Sequence, residues 1–387
     1  MPTWLCRSSS IPQMEYVTIE EVFDAYYSCR QKKRRKESAL RYEMDYELEN
    51  YRLYEELNAM TYKPGTSIAF CVTMPKLREV FAADFRDRIV HHLLVNRFNP
   101  FIEARLTDNA FACRKDKGNL YGARKMSAMM EEMKDGWYVK CDIQGFFMSI
   151  DKDILFGMLR DVIIESGCEN VDWWLWLAET VVKHRPELDC ELHGWTHLWR
   201  WLPNDKTLFR TNGKGLPIGN LTSQVLANLY MAGFDRWAMD RLGKDGRFGR
   251  YVDDFVIMHR DRKVLLQILS EARNYLRDKL GLKLHPRKTV IQKVCRGMLF
   301  TGYFLKGGQI MPGHRMRRNA LSVAAWWNEK KEHNEKTRRK LMVKMNSYYG
   351  MLLHPSAYKV RRKMWFLLQD KKGLVNISMK RINLTRI

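Results

Sequence analysis

Residues 250–259 read RYVDDFVIMH, with two short apolar runs on either side of the adjacent carboxylates Asp253 and Asp254. Aromatic and β-branched residues favour strands and Asp is common in tight turns, so this stretch predicts a β-hairpin with the Asp pair at its turn. A third run of this kind, residues 137–141, ends directly before Asp142. The sequence therefore predicts three carboxylates at the ends of short buried strands.

Carboxylates in that position are costly unless something neutralises them, and the usual partner is a divalent cation with oxygen ligands. Asp142, Asp253 and Asp254 can hold two Mg²⁺ ions, which activate an attacking hydroxyl and stabilise the leaving oxygen of an in-line phosphoryl transfer. Mn²⁺ can substitute at such hard ligands. The competing interpretation is an ordinary hairpin turn, which is the commoner meaning of an isolated Asp pair between two strands.

The chain has 387 residues, enough for two or three domains with hydrophobic cores. Its 45% hydrophobic and 29% charged residues exclude a collagen-like, low-complexity or wholly disordered chain. The 67 Lys and Arg residues exceed the 44 Asp and Glu residues, for a formal net charge of +23. This excess favours a polyanionic partner, and nucleic acid is the commonest one.

Neither a membrane span nor a signal peptide is predicted. No stretch approaches the roughly 20 apolar residues that cross a bilayer, and residues 1–14 lack an apolar signal region. We therefore expect a cytoplasmic protein with no membrane partner. The eight cysteines are scattered without a C-x-x-C pair, which is typical of reduced and mostly buried thiols, so disulfides are not expected.

Helices and strands are predicted from hydrophobic periodicity and from end signals. Thr18 and Glu21 form a capping-box pattern that starts a helix near residue 18, and Gly281 stands where a helix C-terminus favours glycine. Further helices are expected over residues 38–60, 86–95, 222–242 and 264–280, and further strands over residues 68–74, 290–294 and 299–305. The basic run 30–36 is either a solvated helix face or a phosphate contact.

Two segments differ in composition from the rest of the chain. Residues 155–212 are rich in Trp without a clean period, so helix plus irregular structure is expected there. Residues 315–387 hold 19 Lys and Arg residues against four Asp and Glu residues, which indicates a separate basic helical module. The Trp-rich segment also holds four residues of types that bind zinc, for which packing and hydrogen bonding are the favoured interpretation because no Cys pair accompanies them: His184, Cys190, His193 and His197.

Three sequence blocks fall in the order of one known family: CDIQGFF at residues 141–147, GLPIGNLTSQ at 215–224 and YVDD at 251–254. With these blocks, roughly residues 60–310 resemble the reverse transcriptases. The resemblance implies an α+β right-hand polymerase with fingers, a palm of antiparallel sheet backed by helices, and a helical thumb. The implied division is an N-terminal extension and fingers at 1–135, a palm at 136–312 with the Trp-rich insertion at about 160–212, and a basic helical thumb at 313–387.

The resemblance also implies roles in catalysis. Asp142, Asp253 and Asp254 match the catalytic, metal-binding carboxylates of the family. The backbone carbonyl of Ile143 would complete a metal shell. Lys288 falls where such enzymes carry a lysine that can protonate the departing pyrophosphate, although a solvent-facing lysine is the alternative.

Other residues are implied to contact the incoming nucleotide. Phe147 matches an aromatic gate that excludes a ribose 2′-hydroxyl, with plain core packing as its alternative. Arg78, and next to it Lys76, match cations that hold the triphosphate, a task that the planar guanidinium fork suits. Arg114 would contact template or nucleotide.

Two further parts are implied to bind the primer and template. The implied primer grip comprises Phe300, Gly302 and Tyr303. The basic segment 313–387 would lie along the backbone of the duplex, so that binding falls with added salt. The implied partners are therefore template RNA, the cDNA–RNA duplex and deoxynucleoside triphosphates.

Residues 218–224 depart from the commonest family pattern, which has Gln where this chain has Ile218. The departure resembles the reverse transcriptases of diversity-generating retroelements, as do DFRDRIVHH at residues 84–92 and SYYG at 347–350. This implies copying of a template-repeat RNA into cDNA with misincorporation opposite adenines, and a small basic accessory variability protein, an oligomer, as partner. Gln can hydrogen-bond near the nascent base pair and Ile cannot, so Ile218 would tolerate mispairs; the alternative is apolar packing in a faithful enzyme.

Two other functions stay open from the sequence. One is the reverse transcriptase of another bacterial retroelement, of the retron, group II-like or abortive-infection type. The other is a non-catalytic RNA-binding protein on a polymerase fold, which three clustered carboxylates disfavour because they repel phosphate.

Overall fold

The computed structural model describes residues 15–31, 37–74, 76–330 and 332–384. Its helices are α1 (Ile19–Arg30), α2 (Glu37–Met44), α3 (Tyr46–Asn58), α4 (Phe85–Arg105), α5 (Asn119–Glu132), α6 (Phe146–Ser149), α7 (Lys152–Glu165), α8 (Val171–Lys183), α9 (Leu221–Leu242), α10 (Arg262–Leu280), α11 (His314–Asn328), α12 (Glu335–Leu353) and α13 (Tyr358–Phe366). Its strands are β1 (Ser67–Val72), β2 (Arg78–Ala82), β3 (Trp137–Asp142), β4 (Cys190–His193), β5 (Gly246–Tyr251), β6 (Asp254–His259), β7 (Val290–Lys293), β8 (Met298–Phe300), β9 (Tyr303–Lys306), β10 (Gln309–Pro312), β11 (Leu374–Ile377) and β12 (Arg381–Leu384).

The largest sheet has four strands in the order β5-β6-β3-β7, all antiparallel. Four consecutive residues of β6, from Phe255 to Met258, are fully buried, which indicates that both faces of this sheet are covered. A second sheet has the order β2-β1-β4, in which β1 pairs antiparallel with β2 and parallel with β4. Strands β10-β9-β8 form an antiparallel sheet, and β11 and β12 form a hairpin.

The chain divides into two compact units. The first comprises the described part of Met1–Thr107, together with Ile143–Arg236 and Arg273–Leu284. It contains the sheet β2-β1-β4 and the helices α1, α2, α3, α4, α6, α7 and α8. Aromatic contacts join its helices: the Tyr26 and Tyr46 rings stack with centroids 5.1 Å apart, and the buried Trp173 indole donates to the Leu57 carbonyl at 2.9 Å.

The second unit comprises Asp108–Asp142, Trp237–Ala272 and the described part of His285–Ile387, and it contains the other three sheets. One of its cores joins α5 to the sheet strands through residues such as Phe111, Met126 and Tyr138. Another core holds α11, α12, α13 and the β11–β12 hairpin together around Trp327 and Tyr349.

The local signals in the sequence predicted most of these elements. Helix α1 begins with the expected capping box, since the Glu21 N–H donates to the Thr18 hydroxyl at 3.3 Å and the Thr18 N–H donates to the Glu21 carboxylate at 3.0 Å. The single helix expected over residues 38–60 is instead two helices, because Asp45 leaves the helical conformation at φ −130° and ψ 31°. Of the basic run 30–36, residues 32–36 lie outside the described residues.

The basic C-terminal segment is helical as predicted, but it also contains the β11–β12 hairpin. The Asn346 side chain attaches this hairpin to α12 by donating to the Ile382 carbonyl at 2.8 Å and accepting from the Ile382 N–H at 2.7 Å. The α+β prediction is confirmed, whereas the boundaries of fingers, palm and thumb stay a prediction.

Two expectations concern membranes and disulfides. Within the described residues, no helix is both long and apolar enough to span a bilayer. The described cysteines are free thiols, but the expectation that they are mostly buried is wrong, because only Cys29 and Cys141 are buried. The others are partly buried or exposed: Cys71, Cys113, Cys168, Cys190 and Cys295.

The C-terminus of α10 provides a test of the local backbone. Gly281 has φ 61°, where a side chain costs about 1–2 kcal/mol, and a Cβ there would meet nothing within 4 Å. We expect Gly281→Ala to lower the free energy of unfolding by about 1 kcal/mol. As a matched control, Gly157→Ala inside α7, where space is also open, should raise it by about 0.5–1 kcal/mol. Urea denaturation measures both, and effects of the same sign would contradict the left-handed helix end.

Candidate active site

Two of the three predicted carboxylates lie opposite each other on adjacent strands of the four-stranded sheet. Strands β3 and β6 pair so that Asp142 lies opposite Asp254, at the end of both strands. The side chain of Asp142 is 16% exposed and that of Asp254 is 34% exposed, so both reach solvent although the strands around them are largely buried. Asp253 is the next residue along, in the two-residue turn that joins β5 to β6. The predicted hairpin is therefore present, but its turn consists of Val252 and Asp253, and Asp254 is the first residue of β6 rather than part of the turn.

Each of the two facing carboxylates has a lysine partner. Lys288 Nζ lies 2.7 Å from Asp142 Oδ1, and Lys140 Nζ lies 3.3 Å from Asp254 Oδ2. Lys140 also donates to the Leu299 carbonyl at 3.2 Å. Like charges at opposite positions of a strand pair are destabilising, so these lysines offset a repulsion that the register creates.

The turn between β5 and β6 is strained. Val252, its first residue, has φ 56°, a conformation that is rare for a β-branched side chain. Arg250 is buried to 1% exposure and donates from Nη1 to the Val252 carbonyl at 3.0 Å. Backbone strain of this kind persists only where the surroundings enforce it, and it occurs most often at functional sites.

The segment that carries Arg114 is attached to the same hairpin. The Arg250 N–H donates to the Asn109 carbonyl at 2.8 Å, and the Phe111 N–H donates to the Arg250 carbonyl at 3.0 Å. Arg114 itself donates from Nη1 to the Ala110 carbonyl at 3.0 Å. The second unit thus contains Asp142, Asp253, Asp254, Lys288 and Arg114.

The predicted primer grip lies in the turn between β8 and β9 of this unit. The side chains of Phe300 and Tyr303 are buried in its core, whereas Gly302 is exposed at φ 88°. The Gly302 carbonyl accepts the Gly313 N–H at 3.0 Å. At this turn the backbone of Gly302 is therefore more exposed than the side chains of Phe300 and Tyr303.

The first unit contains the remaining predicted nucleotide contacts. Arg78 and Lys76 are exposed at the start of β2 and in the loop before it, and Pro75 of the same segment lies outside the described residues. Ile218 is partly buried against a core cluster that includes Phe81. The Phe81 N–H donates to the Ile218 carbonyl at 2.8 Å, which attaches the loop of Ile218 to β2.

Phe147 is hydrogen-bonded to the same loop. Its carbonyl accepts the Leu216 N–H at 2.8 Å, and its ring packs edge-on against Phe146 at 5.5 Å. Phe147 is partly buried, which leaves some of the ring at the surface. Ile143, whose carbonyl is the predicted metal ligand, is buried and forms a β-bridge with Leu284.

Within residues 15–31, 37–74, 76–330 and 332–384, no group of three or more His, Cys, Asp or Glu side chains is arranged to hold a metal ion. In the Trp-rich segment, His193 instead lies 3.2 Å from Glu191, and the His197 ring stacks on Trp195. The three-carboxylate metal site stays a prediction from the sequence.

Comparison with known proteins identifies the family. The family model for reverse transcriptase (RNA-dependent DNA polymerase) matches residues 63–305. The chain belongs to the reverse transcriptase family. The match contains all three sequence blocks that carry the resemblance and both carboxylate-bearing strands.

Individual relatives of this reverse transcriptase are distant. Protein YkfC of Escherichia coli (strain K12) is 22% identical over 264 residues, which cover 59% of this chain and 63% of YkfC. A structure of telomerase from Candida albicans, in complex with a TWJ fragment of telomeric RNA, is 11% identical with a TM-score of 0.43 and covers 78% of this chain and 54% of that one. Apo telomerase from Candida tropicalis is 11% identical with a TM-score of 0.46 and covers 78% and 56%. The chain thus spans little more than half the length of these telomerase chains.

Lys140 and Arg250 are two site residues of this reverse transcriptase that sequence reasoning missed. Both are charged residues on strands that lead to the carboxylates, Lys140 two residues before Asp142 and Arg250 three residues before Asp253, and this position was the available signal. Their partners depend on strand register, which the residues alone do not specify.

The buried guanidinium beside the turn yields a second prediction. Arg250→Met should lower the free energy of unfolding by about 1–3 kcal/mol, because it removes a buried donor from the strained Val252 carbonyl. Arg247→Met on the same strand is the control, since Arg247 forms a surface ion pair with Glu132 and such pairs contribute about 0–1 kcal/mol. Urea unfolding compares the variants, and an equal loss in both would contradict a special role for Arg250.

Proposed function

We propose that this reverse transcriptase is the RNA-directed DNA polymerase of a diversity-generating retroelement, which copies a template-repeat RNA into adenine-mutagenised cDNA. The observation that carries the polymerase part is the pairing of Asp142 with Asp254 on adjacent strands, with Asp253 in the strained turn beside them. The subtype rests on the sequence around Ile218. Deoxynucleoside triphosphates, template RNA and the cDNA–RNA duplex are the proposed ligands.

The oxygen chemistry of the donor set, rather than a preformed cluster of three side chains among the described residues, supports the proposal of a hard divalent cation. Opposite positions of an antiparallel pair project side chains to the same face, so Asp142 and Asp254 present carboxylate oxygens together. Mg²⁺ prefers such oxygen ligands, and Mn²⁺ accepts them. We propose that Asp142, Asp253, Asp254 and the Ile143 carbonyl hold two Mg²⁺ ions. Bound there, the metal supplies charge stabilisation to the attacking and leaving oxygens of nucleotidyl transfer.

The protein's own side chains then position the nucleotide and transfer a proton. Lys288, half exposed and within 2.7 Å of Asp142, is the proposed donor of a proton to the departing pyrophosphate. Arg78 and Lys76 hold the triphosphate through charge-assisted hydrogen bonds. The ring of Phe147 excludes a ribose 2′-hydroxyl, and Arg114 contacts the template or nucleotide.

The distribution of charge supports a nucleic-acid substrate. Residues 315–387 have 19 Lys and Arg residues against four Asp and Glu residues, and several of these cations are exposed on α12. We propose that it lies along the duplex backbone while the turn at Gly302 contacts the primer end. A small basic accessory variability protein is the further proposed partner, by resemblance to the subfamily.

Nucleotide incorporation tests the polymerase directly. With Mg²⁺, an RNA template and a DNA primer, wild-type protein should extend the primer, and Asp253→Asn should lower the rate by about two to three orders of magnitude because a charged ligand is lost. Asp245→Asn, in a surface turn just before β5, is the matched control and should keep wild-type activity. Primer extension by Asp253→Asn at the wild-type rate would refute the assigned site.

The error spectrum tests the subtype. Ile218→Gln should reduce misincorporation opposite template adenine about five- to tenfold, since the amide can hydrogen-bond near the nascent pair. Ile164→Gln, at an exposed position of α7, is the matched control. Sequencing of cDNA made by the three proteins measures the effect.

Each outcome distinguishes the alternatives. Faithful wild-type cDNA would favour another bacterial retroelement enzyme over the diversity-generating subtype. An absence of cDNA that persists with the cognate RNA and accessory protein would favour a non-catalytic RNA-binding protein.

A further inference from the structure

A buried carboxylate joins the Trp-rich insertion to strand β2. Glu79 is 1% exposed and accepts three hydrogen bonds. The Trp199 indole N–H and the Thr207 hydroxyl donate to Oε2 at 2.7 and 2.6 Å, and the Leu208 N–H donates to Oε1 at 2.8 Å. All three donors belong to the insertion. We call this group the Glu79 clasp.

Glu79 and its three donors depend on each other energetically. A buried carboxylate is tolerated only when its oxygens are hydrogen-bonded, and each buried donor in turn requires an acceptor. Removal of the carboxylate would leave the Thr207 hydroxyl and the Leu208 N–H buried without this acceptor, at 2% and 1% residue exposure. The clasp therefore holds the insertion and β2 in one relative position.

The clasp also determines which face of β2 carries Arg78. Along the strand, Glu79 and Phe81 are buried, whereas Arg78 is exposed. A shift of one residue in register would exchange these faces, burying Arg78 and exposing Glu79. Because Glu79 has three fixed donors, such a shift would break all of them.

The loop of Ile218 is held by the same strand. In addition to the Phe81–Ile218 backbone hydrogen bond, Gly219 adopts φ 132° and lies so close to β2 that a Cβ would stand 2.4 Å from the Phe81 carbonyl oxygen. Ile218 packs on a cluster that contains Phe81 and Leu208. Leu208 therefore contributes its backbone to the clasp and its side chain to the support of Ile218.

The insertion also extends the sheet itself. Its strand β4 pairs in parallel with β1 from Ser67↔Cys190 to Phe70↔His193, and the Thr66 hydroxyl donates to the Asp189 carboxylate at 3.1 Å. Strand β1 in turn pairs with β2. Main-chain pairing, side-chain hydrogen bonds and apolar packing thus all connect the insertion to the hairpin that carries Arg78.

We propose that the Trp-rich insertion, acting through Glu79, positions Arg78 and Ile218 and thereby sets the affinity for the incoming nucleotide and the error spectrum. Glu79 is a positioning residue in this account. The inference rests on the proposed function, because that function assigns Arg78 to the triphosphate and Ile218 to the nascent base pair.

Substitution at Thr207 tests the clasp with little change in shape. Thr207→Val removes the hydroxyl donor, and Thr207→Ser retains it. Glu79→Gln replaces the charged carboxylate, which accepts three hydrogen bonds, with a neutral amide. Glu191→Gln is the matched control, because Glu191 is exposed on β4 of the same insertion. Incorporation of dTTP on a poly(rA)–oligo(dT) duplex gives KM and kcat. A second reaction on the same duplex with all four deoxynucleoside triphosphates, followed by sequencing of the product, gives the error spectrum opposite adenine.

We expect Thr207→Val and Glu79→Gln to raise the KM for dTTP roughly five- to tenfold with a smaller change in kcat, and to alter misincorporation opposite adenine. Thr207→Ser should restore wild-type values. Loss of thermal stability with an unchanged KM and error spectrum would show that the clasp is merely structural, and would overturn the proposal.

A second measurement separates this inference from the proposed function. Calorimetric binding of dTTP to the full chain on the same duplex needs no turnover. Weaker binding by Thr207→Val than by Thr207→Ser would support the clasp even if wild-type protein incorporated nothing. Equal binding by the two variants would overturn the proposed role of the clasp. A wild-type protein that neither binds nor incorporates dTTP, even with the cognate RNA and accessory protein, would overturn both proposals.

Discussion

The register between β3 and β6 is the constraint on which the proposed site depends. It places Asp142 opposite Asp254, so two negative charges meet at the ends of strands whose neighbouring residues are buried. A slip of one residue would move one carboxylate to the other face of the sheet. Burial of β6 on both faces makes such a slip costly. Lys140 and Lys288 offset the remaining repulsion.

The same register explains the strain at the hairpin turn. Tyr251 pairs with Asp254, which leaves two residues for the turn and forces Val252 to a positive φ. A longer loop would relax Val252, but it would also separate Asp253 from the strand end. The buried Arg250 stabilises the short turn through the Val252 carbonyl and, through its backbone, fixes the segment of Arg114. The backbone strain at Val252 and the hydrogen bond from Arg250 that stabilises it therefore both follow from the two-residue length of this turn.

Local sequence signals were sufficient to predict individual helices, strands and turns, but not to predict which strands pair with each other. The capping box at Thr18, the C-terminal Gly281 and the hairpin at Asp253 were predicted because each is encoded within a few residues. The parallel pairing of β1 with β4 was not, since it joins residues more than 100 positions apart. The identity and order of the candidate site residues came from a family pattern. The roles of Lys140 and Arg250 could not be predicted in this way, because their partners are determined by the register of the strands. The Trp-rich segment had no single period because it combines two helices that pack on each other, α7 and α8, with short irregular turns in which Trp195 and Trp201 are exposed.

The position of Ile218 bears on both interpretations of this residue. Core packing and contact with a nascent base pair were alternatives in the sequence, but a partly buried side chain can do both. The structure packs Ile218 against a cluster with Phe81 and Leu208 while part of it stays exposed. Under the proposed function, a fixed apolar surface offers no hydrogen bond that could reject a mispair, and its fixed position would keep the tolerance of mispairs constant. If the Glu79 clasp supplies this rigidity, the error spectrum is a property of the insertion as well as of residue 218.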